Sequence, residues 1–220
     1  INSTAKIYNT KIILRSEFYS ATPWTYKIPS DNPILFSSCS AAVPYKGMHQ
    51  LLKMTAILKL KYPKIKLCIA GNINVGNRLP DGYSLYLKKI IKKLKLTENI
   101  VYLGPLTASQ IVSALQKCNV CVIPSYIETY CLALAEALII GVPCVVSYTG
   151  ALPETAIPNK EALFYNPNDH VAAAAAIDEL IQNKNKAVTF SNEARKRRFI
   201  ENDRETVIQT QIDIYKKVLS

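Results

Sequence analysis

Two carboxylates, Glu128 and Glu136, lie eight positions apart where an apolar run gives way to helical spacing. The run at residues 118–123 is typical of a buried strand, and the helical spacing runs from Tyr130 to a stop at Gly141. The N–H groups at a helix N-terminus favour phosphate, whereas a carboxylate beside them is suited to accept hydrogen bonds from hydroxyls. A ligand with both phosphates and hydroxyls, such as a nucleotide sugar, fits this arrangement.

This stretch resembles the Glu-x7-Glu signature of retaining glycosyltransferases of the GT4 type, the glycosyl transferases group 1, which have the two-domain GT-B fold. Further segments resemble the family's other motifs in the same order, across roughly residues 33–185. These segments are Pro44-Tyr-Lys46-Gly47, Leu67-Cys-Ile-Ala-Gly71-Asn72, Val101-Tyr-Leu-Gly104 and Tyr148-Thr-Gly150-Ala-Leu-Pro153-Glu154. Five ordered matches make the resemblance specific, although any one of them alone is weak.

The resemblance assigns the phosphates of the donor to a loop and a helix start. Lys46, a point charge, is expected to bind the diphosphate and to take part in catalysis, and Gly47 beside it is expected to belong to the donor-binding loop. The backbone amides near Tyr130, Cys131 and Leu132 are expected to hold phosphate oxygens at the beginning of the helix.

In the family pattern, other positions contact the sugar, the ribose and the base of the donor. Glu136 matches the ribose ligand, and Glu128 matches the catalytic residue that contacts the donor sugar and supports the charge at the anomeric carbon. Gly71 and Gly104 allow a close approach of the backbone, and Leu103 and Gly104 are expected near the base.

The sequence departs from the family pattern at several places. The family usually carries a Gly-Arg pair before the Lys-Gly loop, but residues 36–43 contain no basic residue, so a second phosphate cation is lost or supplied from elsewhere. Thr129, Cys131 and Ala151 replace usual glycines. Because no Asp-x-Asp motif occurs, we expect no metal ion and no other cofactor; the nucleotide-diphosphate sugar is the donor substrate.

Apolar runs and helical patterns alternate along most of the chain, which predicts an α/β fold with a Rossmann-like, doubly wound parallel sheet, the C-terminal half of a GT-B fold. The predicted strands are 34–39, 66–70, 100–103, 119–123, 143–147 and 162–165. The predicted helices are 47–61, 82–95, 107–117, 131–140, 170–182, 187–200 and 203–219. The motif residues then follow strand ends, where ligands bind in such sheets.

Three parts of the chain are expected to differ in role. Residues 1–32 form a linker on the domain edge, residues 33–185 form the donor-binding domain, and residues 186–220 form C-terminal helices. The chain begins at Ile1 and lacks the motifs of an acceptor-binding half, which predicts a fragment without an N-terminal domain, inactive on its own. In the family the final helix crosses to the other domain, so its apolar face is expected to be uncovered here.

Charge and cysteine content limit the partners. The net charge is +11, and lysines at 88–95 lie on an amphipathic helix that is either a solvated face or a peripheral contact with anionic lipid at the inner face of the membrane. Basic and aromatic residues do not interleave, so we expect no nucleic acid. Six cysteines, mostly in apolar runs, indicate a reduced, cytoplasmic protein.

The sequence therefore predicts the donor domain of a transferase that acts, in the full-length enzyme, on a saccharide or lipid-linked acceptor, with a role in polysaccharide biosynthesis. Two alternatives stay open. One is a degenerate GT-B module that binds without catalysis, which the missing arginine favours. The other is a GT-B nucleotide-sugar epimerase, which the Glu-x7-Glu pattern disfavours.

Overall fold

A computed structural model describes residues 6–41, 43–72 and 82–219 of the chain. Within these residues, six parallel strands form one sheet with the order β3-β2-β1-β4-β5-β6, so all six predicted strands are confirmed. The strands are β1 (Ile34–Ala41), β2 (Lys66–Asn72), β3 (Ile100–Gly104), β4 (Val120–Ile123), β5 (Cys144–Ser147) and β6 (Ala162–Tyr165). This is the order of a Rossmann-like fold.

Helices cover both faces of the sheet, as the predicted doubly wound fold requires. The helices are α1 (Ser16–Tyr19), α2 (Met48–Lys61), α3 (Gly82–Lys93), α4 (Ala108–Lys117), α5 (Leu132–Ile140), α6 (Leu152–Thr155), α7 (His170–Gln182), α8 (Lys184–Glu201) and α9 (Arg204–Leu219). In β4, Val122 packs in the core under α2 and α7, and its neighbour Cys121 packs in the core under α4 and α5. Successive strand residues therefore point into two separate apolar cores.

Two of the helix boundaries that differ from the prediction are the starts of α5 and α8. Helix α5 begins at Leu132 because Cys131 is left-handed, with φ 71°, so Glu136 lies about one turn into the helix. Helix α8 begins directly after α7, because the Asn183 side chain accepts a hydrogen bond from the Lys186 N–H and caps the new helix. The short helices α1 and α6 were not predicted, since each has too few residues to show a helical periodicity of apolar positions.

The segment before the sheet packs firmly onto it. Leu14, Phe18 and Trp24 are buried in the core that contains α4 and α5. The Trp24 indole N–H donates to the carbonyl of Cys118 at 2.8 Å. Burying one such large side chain contributes roughly 1.5–3 kcal/mol, so this segment is held as part of the domain.

Two surface helices bear on the predicted partners. On α3, Leu87 is buried and Ile90 packs against the core, whereas the outward face carries Leu85 and Tyr86 together with exposed lysines. A membrane contact through this face stays a prediction. On α9 the buried residue is Val207, while Ile212 and Tyr215 are 41% and 67% exposed, so an apolar face of α9 lies open in this chain. Among the described residues, no helix is both long and apolar enough to span a bilayer.

Candidate functional site

A cavity of about 620 Å³ opens where the strand order reverses, between the carboxyl ends of β1 and β4. Its volume is that of a small-molecule site, and its position is where open α/β sheets bind ligands. The walls come from the end of β1, the β4–α5 turn, the first turns of α5 and the N-terminal segment. The six predicted site residues in its lining are Lys46, Glu128, Tyr130, Cys131, Leu132 and Glu136.

Glu128 and Lys46 form an ion pair on one side of the cavity. The Glu128 Oε1 atom accepts from the Lys46 ammonium at 2.7 Å and from the Ser125 hydroxyl at 2.7 Å. Burial lowers the pKa of Lys46, but the hydrogen bond and the charge of Glu128 outweigh it, so the pKa is raised overall. Lys46 therefore stays cationic, and the pair keeps both side chains turned toward the cavity.

Two glycines let the loops approach closely enough to form this pair. Gly47 has φ 69°, and a Cβ there would lie 1.8 Å from the carbonyl oxygen of Pro124. Gly150 has φ 49°, and a Cβ there would lie 2.1 Å from the carbonyl oxygen of Glu128. Only glycine fits both the conformation and the space, so these residues act by fixing where Lys46 and Glu128 lie.

The N-terminus of α5 points its backbone donors at the cavity. Leu134 and Ala135 donate to the carbonyl of Cys131, and among the described hydrogen bonds none uses the N–H of Leu132 or Ala133. Such free groups and the helix dipole favour an anion. Burial, followed by the charge of Glu128, raises the pKa of the Cys131 thiol to about 12, so this side chain stays neutral.

Glu136 is 6% exposed and pairs with Arg15, a residue of the predicted linker. The Arg15 Nη2 and Nε atoms lie 2.8 Å and 3.1 Å from Glu136 Oε1. Burial raises the pKa of Glu136, and the hydrogen bond and charge of Arg15 oppose that shift. The signal for Arg15 was indirect: the motif lacks its usual cation, and Leu14 and Phe18 beside Arg15 are apolar enough to anchor it.

The other predicted site residues lie apart from this cavity. Gly71 lies near the end of β2, and Leu103 and Gly104 end β3, on the same edge of the sheet but outside the cavity lining. Gly47 also lies outside the lining, beneath Lys46. The predicted roles of these four residues toward a ligand stay predictions. Among the described residues, no group of three or more His, Cys, Asp or Glu side chains could hold a metal ion.

The sequence model of the family described as Glycosyl transferases group 1 matches residues 22–197. The chain belongs to this family. The match includes both carboxylates and Lys46, and it begins seven residues after Arg15. The family resemblance that the motifs predicted is therefore confirmed.

One curated relative and two solved structures are similar to this group 1 chain. It is 29% identical over 196 residues to the uncharacterized glycosyltransferase YqgM of Bacillus subtilis, covering 88% of this chain and 52% of that protein. HepE of Anabaena, solved with UDP and glucose, has a TM-score of 0.75 at 21% identity, covering 97% of this chain and 56% of HepE. TarM of S. aureus, solved with fondaparinux, α-GlcNAc-glycerol and UDP, has a TM-score of 0.78 at 18% identity, covering 97% and 40%.

The chain thus spans about half the length of YqgM, 52%. The two structural likenesses show the fold, which is the GT-B half that the sequence predicted. The activity and partners of a whole protein containing this domain are therefore matters of proposal.

Proposed function

We propose that this chain is the donor-binding half of a retaining glycosyltransferase of the GT4 type and that it binds a nucleoside-diphosphate sugar. One observation carries the proposal: Lys46, Glu128, Glu136 and the first turn of α5 line a single cavity at the switch point of the sheet. The Lys46 cation and the N-terminus of α5 are suited to bind phosphates, and the two carboxylates are suited to accept hydrogen bonds from hydroxyls. The similar structures that hold UDP support the same ligand class.

The diphosphate lies between Lys46 and the free amides of Leu132 and Ala133 in this proposal. When the bond between the anomeric carbon and the phosphate oxygen breaks, the electron pair leaves with the diphosphate. A fixed cation and the helix N-terminus stabilise that growing negative charge without reorganising. The donor is held without a metal ion, because these groups meet the phosphate charge.

The carboxylates divide the remaining contacts. Glu136 accepts hydrogen bonds from ribose hydroxyls through Oε2, an atom that no described hydrogen bond uses. Glu128 contacts the donor sugar and supports positive charge at the anomeric carbon, and Lys46 and Ser125 fix its orientation through Oε1. The acceptor hydroxyl then bonds to the anomeric carbon and gives its proton to the departing diphosphate oxygen, with retention of configuration.

A second half completes the enzyme in this proposal. It supplies the surface for a saccharide or lipid-linked acceptor, as in polysaccharide biosynthesis. The open apolar face of α9, with Ile212 and Tyr215, is a surface that such a half would cover. The proposed setting is the cytoplasm, with the lysines of α3 available to anionic headgroups at the inner face of the membrane.

Calorimetric titration with UDP, GDP and ADP in the presence of a chelator tests the proposal. We expect one nucleotide to bind, and Glu136→Ala to weaken it by about tenfold to a hundredfold, the loss expected for hydrogen bonds to a charged group. The control is Glu205→Ala, which removes an exposed carboxylate of α9 outside the cavity lining. If none of the three nucleotides binds, the proposal fails and the alternative of a degenerate module is favoured.

A further inference from the structure

The cationic side chains in the described lining of the cavity are Lys46 and Arg15, and the anionic ones are Glu128 and Glu136. We propose that Arg15 is the second phosphate-binding cation of this site, supplied by the N-terminal segment in place of a basic residue at the end of β1. This inference rests on the proposed function, because it assigns a residue to the diphosphate of the same ligand.

The charge balance of the described cavity lining favours such a cation. In that part of the lining, two cations and two carboxylates give no net charge, and Lys46 is already paired with Glu128. Without Arg15 the described lining would carry one net negative charge, which disfavours a diphosphate. Residues 36–43, at the end of β1 and just beyond it, contain no basic residue that could take over.

The Arg15–Glu136 pair leaves both partners able to bind a ligand. Nε and Nη2 of Arg15 both approach the same atom, Glu136 Oε1, so Nη1 and the second hydrogen of Nη2 are still available as donors. The Arg15 side chain is 46% exposed, whereas that of Glu136 is 8% exposed. A guanidinium can hold a carboxylate and a phosphate at once, because its five N–H donors lie in a fixed plane.

The backbone that carries Arg15 is held in place by buried neighbours of the same segment. Leu14 is 4% exposed and Phe18 is 0% exposed, so the residues on both sides of Arg15 are anchored in the core. The Arg15 guanidinium lies 5.0 Å from the centre of the Phe18 ring, which limits its rotamers. Little entropy is then lost when it contacts an anion.

The same segment is also linked to the β4–α5 turn through Asn202 at the end of α8. The Asn202 side-chain amide donates to the carbonyl of Ile12 at 2.7 Å and to the hydroxyl of Tyr130 at 3.1 Å. The Tyr19 hydroxyl donates to the Asn202 carbonyl at 2.5 Å. These bonds hold the Arg15 segment and the β4–α5 turn in one arrangement, as a preorganised site requires.

Binding of a nucleoside diphosphate and its matching nucleoside tests the assignment, with UDP and uridine, GDP and guanosine, or ADP and adenosine. We expect Arg15→Ala to weaken the diphosphate by about tenfold to a hundredfold and the nucleoside far less. Arg15→Lys should recover part of the diphosphate affinity, since it restores the charge without the planar fork. Lys11→Ala is the matched control, because Lys11 is a cation of the same segment outside the cavity lining.

Circular dichroism shows whether Arg15→Ala folds. If it does not, Arg15→Gln, whose side chain is of similar length, replaces it in the binding measurement. The assignment is overturned if the neutral Arg15 variant binds diphosphate as the wild type does. It is also overturned if diphosphate and nucleoside weaken equally, because Arg15 would then act only by orienting Glu136. Either result, with Lys46→Ala and Glu136→Ala still weakening the diphosphate, leaves the proposed function standing. If the wild-type chain binds no nucleotide, both the Arg15 assignment and the proposed function fail.

Discussion

The Lys46 ammonium lies 2.7 Å from Oε1 of Glu128, although 82 positions separate the two residues in the chain. Lys46 follows β1 and Glu128 follows β4, so the pair joins the two loops that flank the reversal of strand order. The pair holds the catalytic carboxylate of the proposed mechanism and the proposed diphosphate cation at a fixed separation.

Replacing Lys46 by alanine should weaken nucleoside diphosphate far more than nucleoside. The ammonium can reach only the phosphates, and a lost charge-assisted hydrogen bond is worth about tenfold to a hundredfold in affinity. Calorimetric titration of both ligands gives the comparison. Lys89→Ala, at an exposed lysine of α3, removes the same charge from the surface and should change neither affinity. Equal weakening of both ligands by Lys46→Ala would mean that Lys46 acts through structure.

The stability of the protein should depend on pH through Glu136. Because burial raises the pKa of Glu136, its stabilising contribution is complete below the unfolded-state pKa and is lost as the pH rises through the folded-state pKa. Urea unfolding of wild type and Glu136→Gln across this range should show the wild type losing stability relative to the variant as the pH rises.

Arg15→Gln provides the second arm of that measurement. Arg15 opposes the effect of burial on the pKa of Glu136, so without Arg15 the loss of stability should move to higher pH. The double variant Arg15→Gln with Glu136→Gln serves as its reference. An unchanged midpoint would show that the ion pair does not influence the titration of Glu136.

Gly47→Ala should destabilise the fold more than Gly104→Ala. Both glycines are left-handed, with φ 69° and 67°, so an alanine at either position costs about 1–2 kcal/mol in backbone strain. A Cβ at Gly104 meets nothing within 4 Å, whereas a Cβ at Gly47 lies 1.8 Å from the Pro124 oxygen. Overpacking adds about 1–3 kcal/mol at Gly47. Urea denaturation gives both values, and equal losses would contradict the close approach.

The Cys131 thiol should resist alkylation in the folded protein. Burial, and then the Glu128 charge, raise its pKa to about 12, so its thiolate fraction near neutral pH is on the order of a thousandfold below that of a free cysteine. Iodoacetamide labelling with peptide mass spectrometry should show slow modification that becomes rapid in urea. Glu128→Gln should speed labelling of the folded protein; no change would exclude the carboxylate as a cause.

These 220 residues should bind donor nucleotide but transfer no sugar. The acceptor surface belongs to the other half in the proposed enzyme, and positioning two reactants supplies roughly 7–11 kcal/mol of a bimolecular barrier. Transfer from a labelled donor to a suitable acceptor, measured for this chain alone and for a protein that joins it to the proposed second half, gives the comparison. Comparable transfer by both would show that the active site is complete within this chain.

The sequence by itself determined the strands, the larger helices and six residues of the cavity lining. The local periodicity of apolar residues predicts each strand or helix, and parallel strands bring their carboxyl ends to one edge of the sheet. The sequence alone therefore predicts that Lys46, Glu128 and Glu136 lie close together.

Only the tertiary structure decided the partners of those side chains. Arg15 lies 121 positions from Glu136, in a segment without periodicity, and no local pattern encodes which cavity that segment reaches. The left-handed Cys131 and the contact of Gly47 with Pro124 are likewise products of packing between separate loops. A pairing between distant residues depends on how the apolar side chains beside them fill the core, and for Arg15 that anchoring is supplied by Leu14 and Phe18.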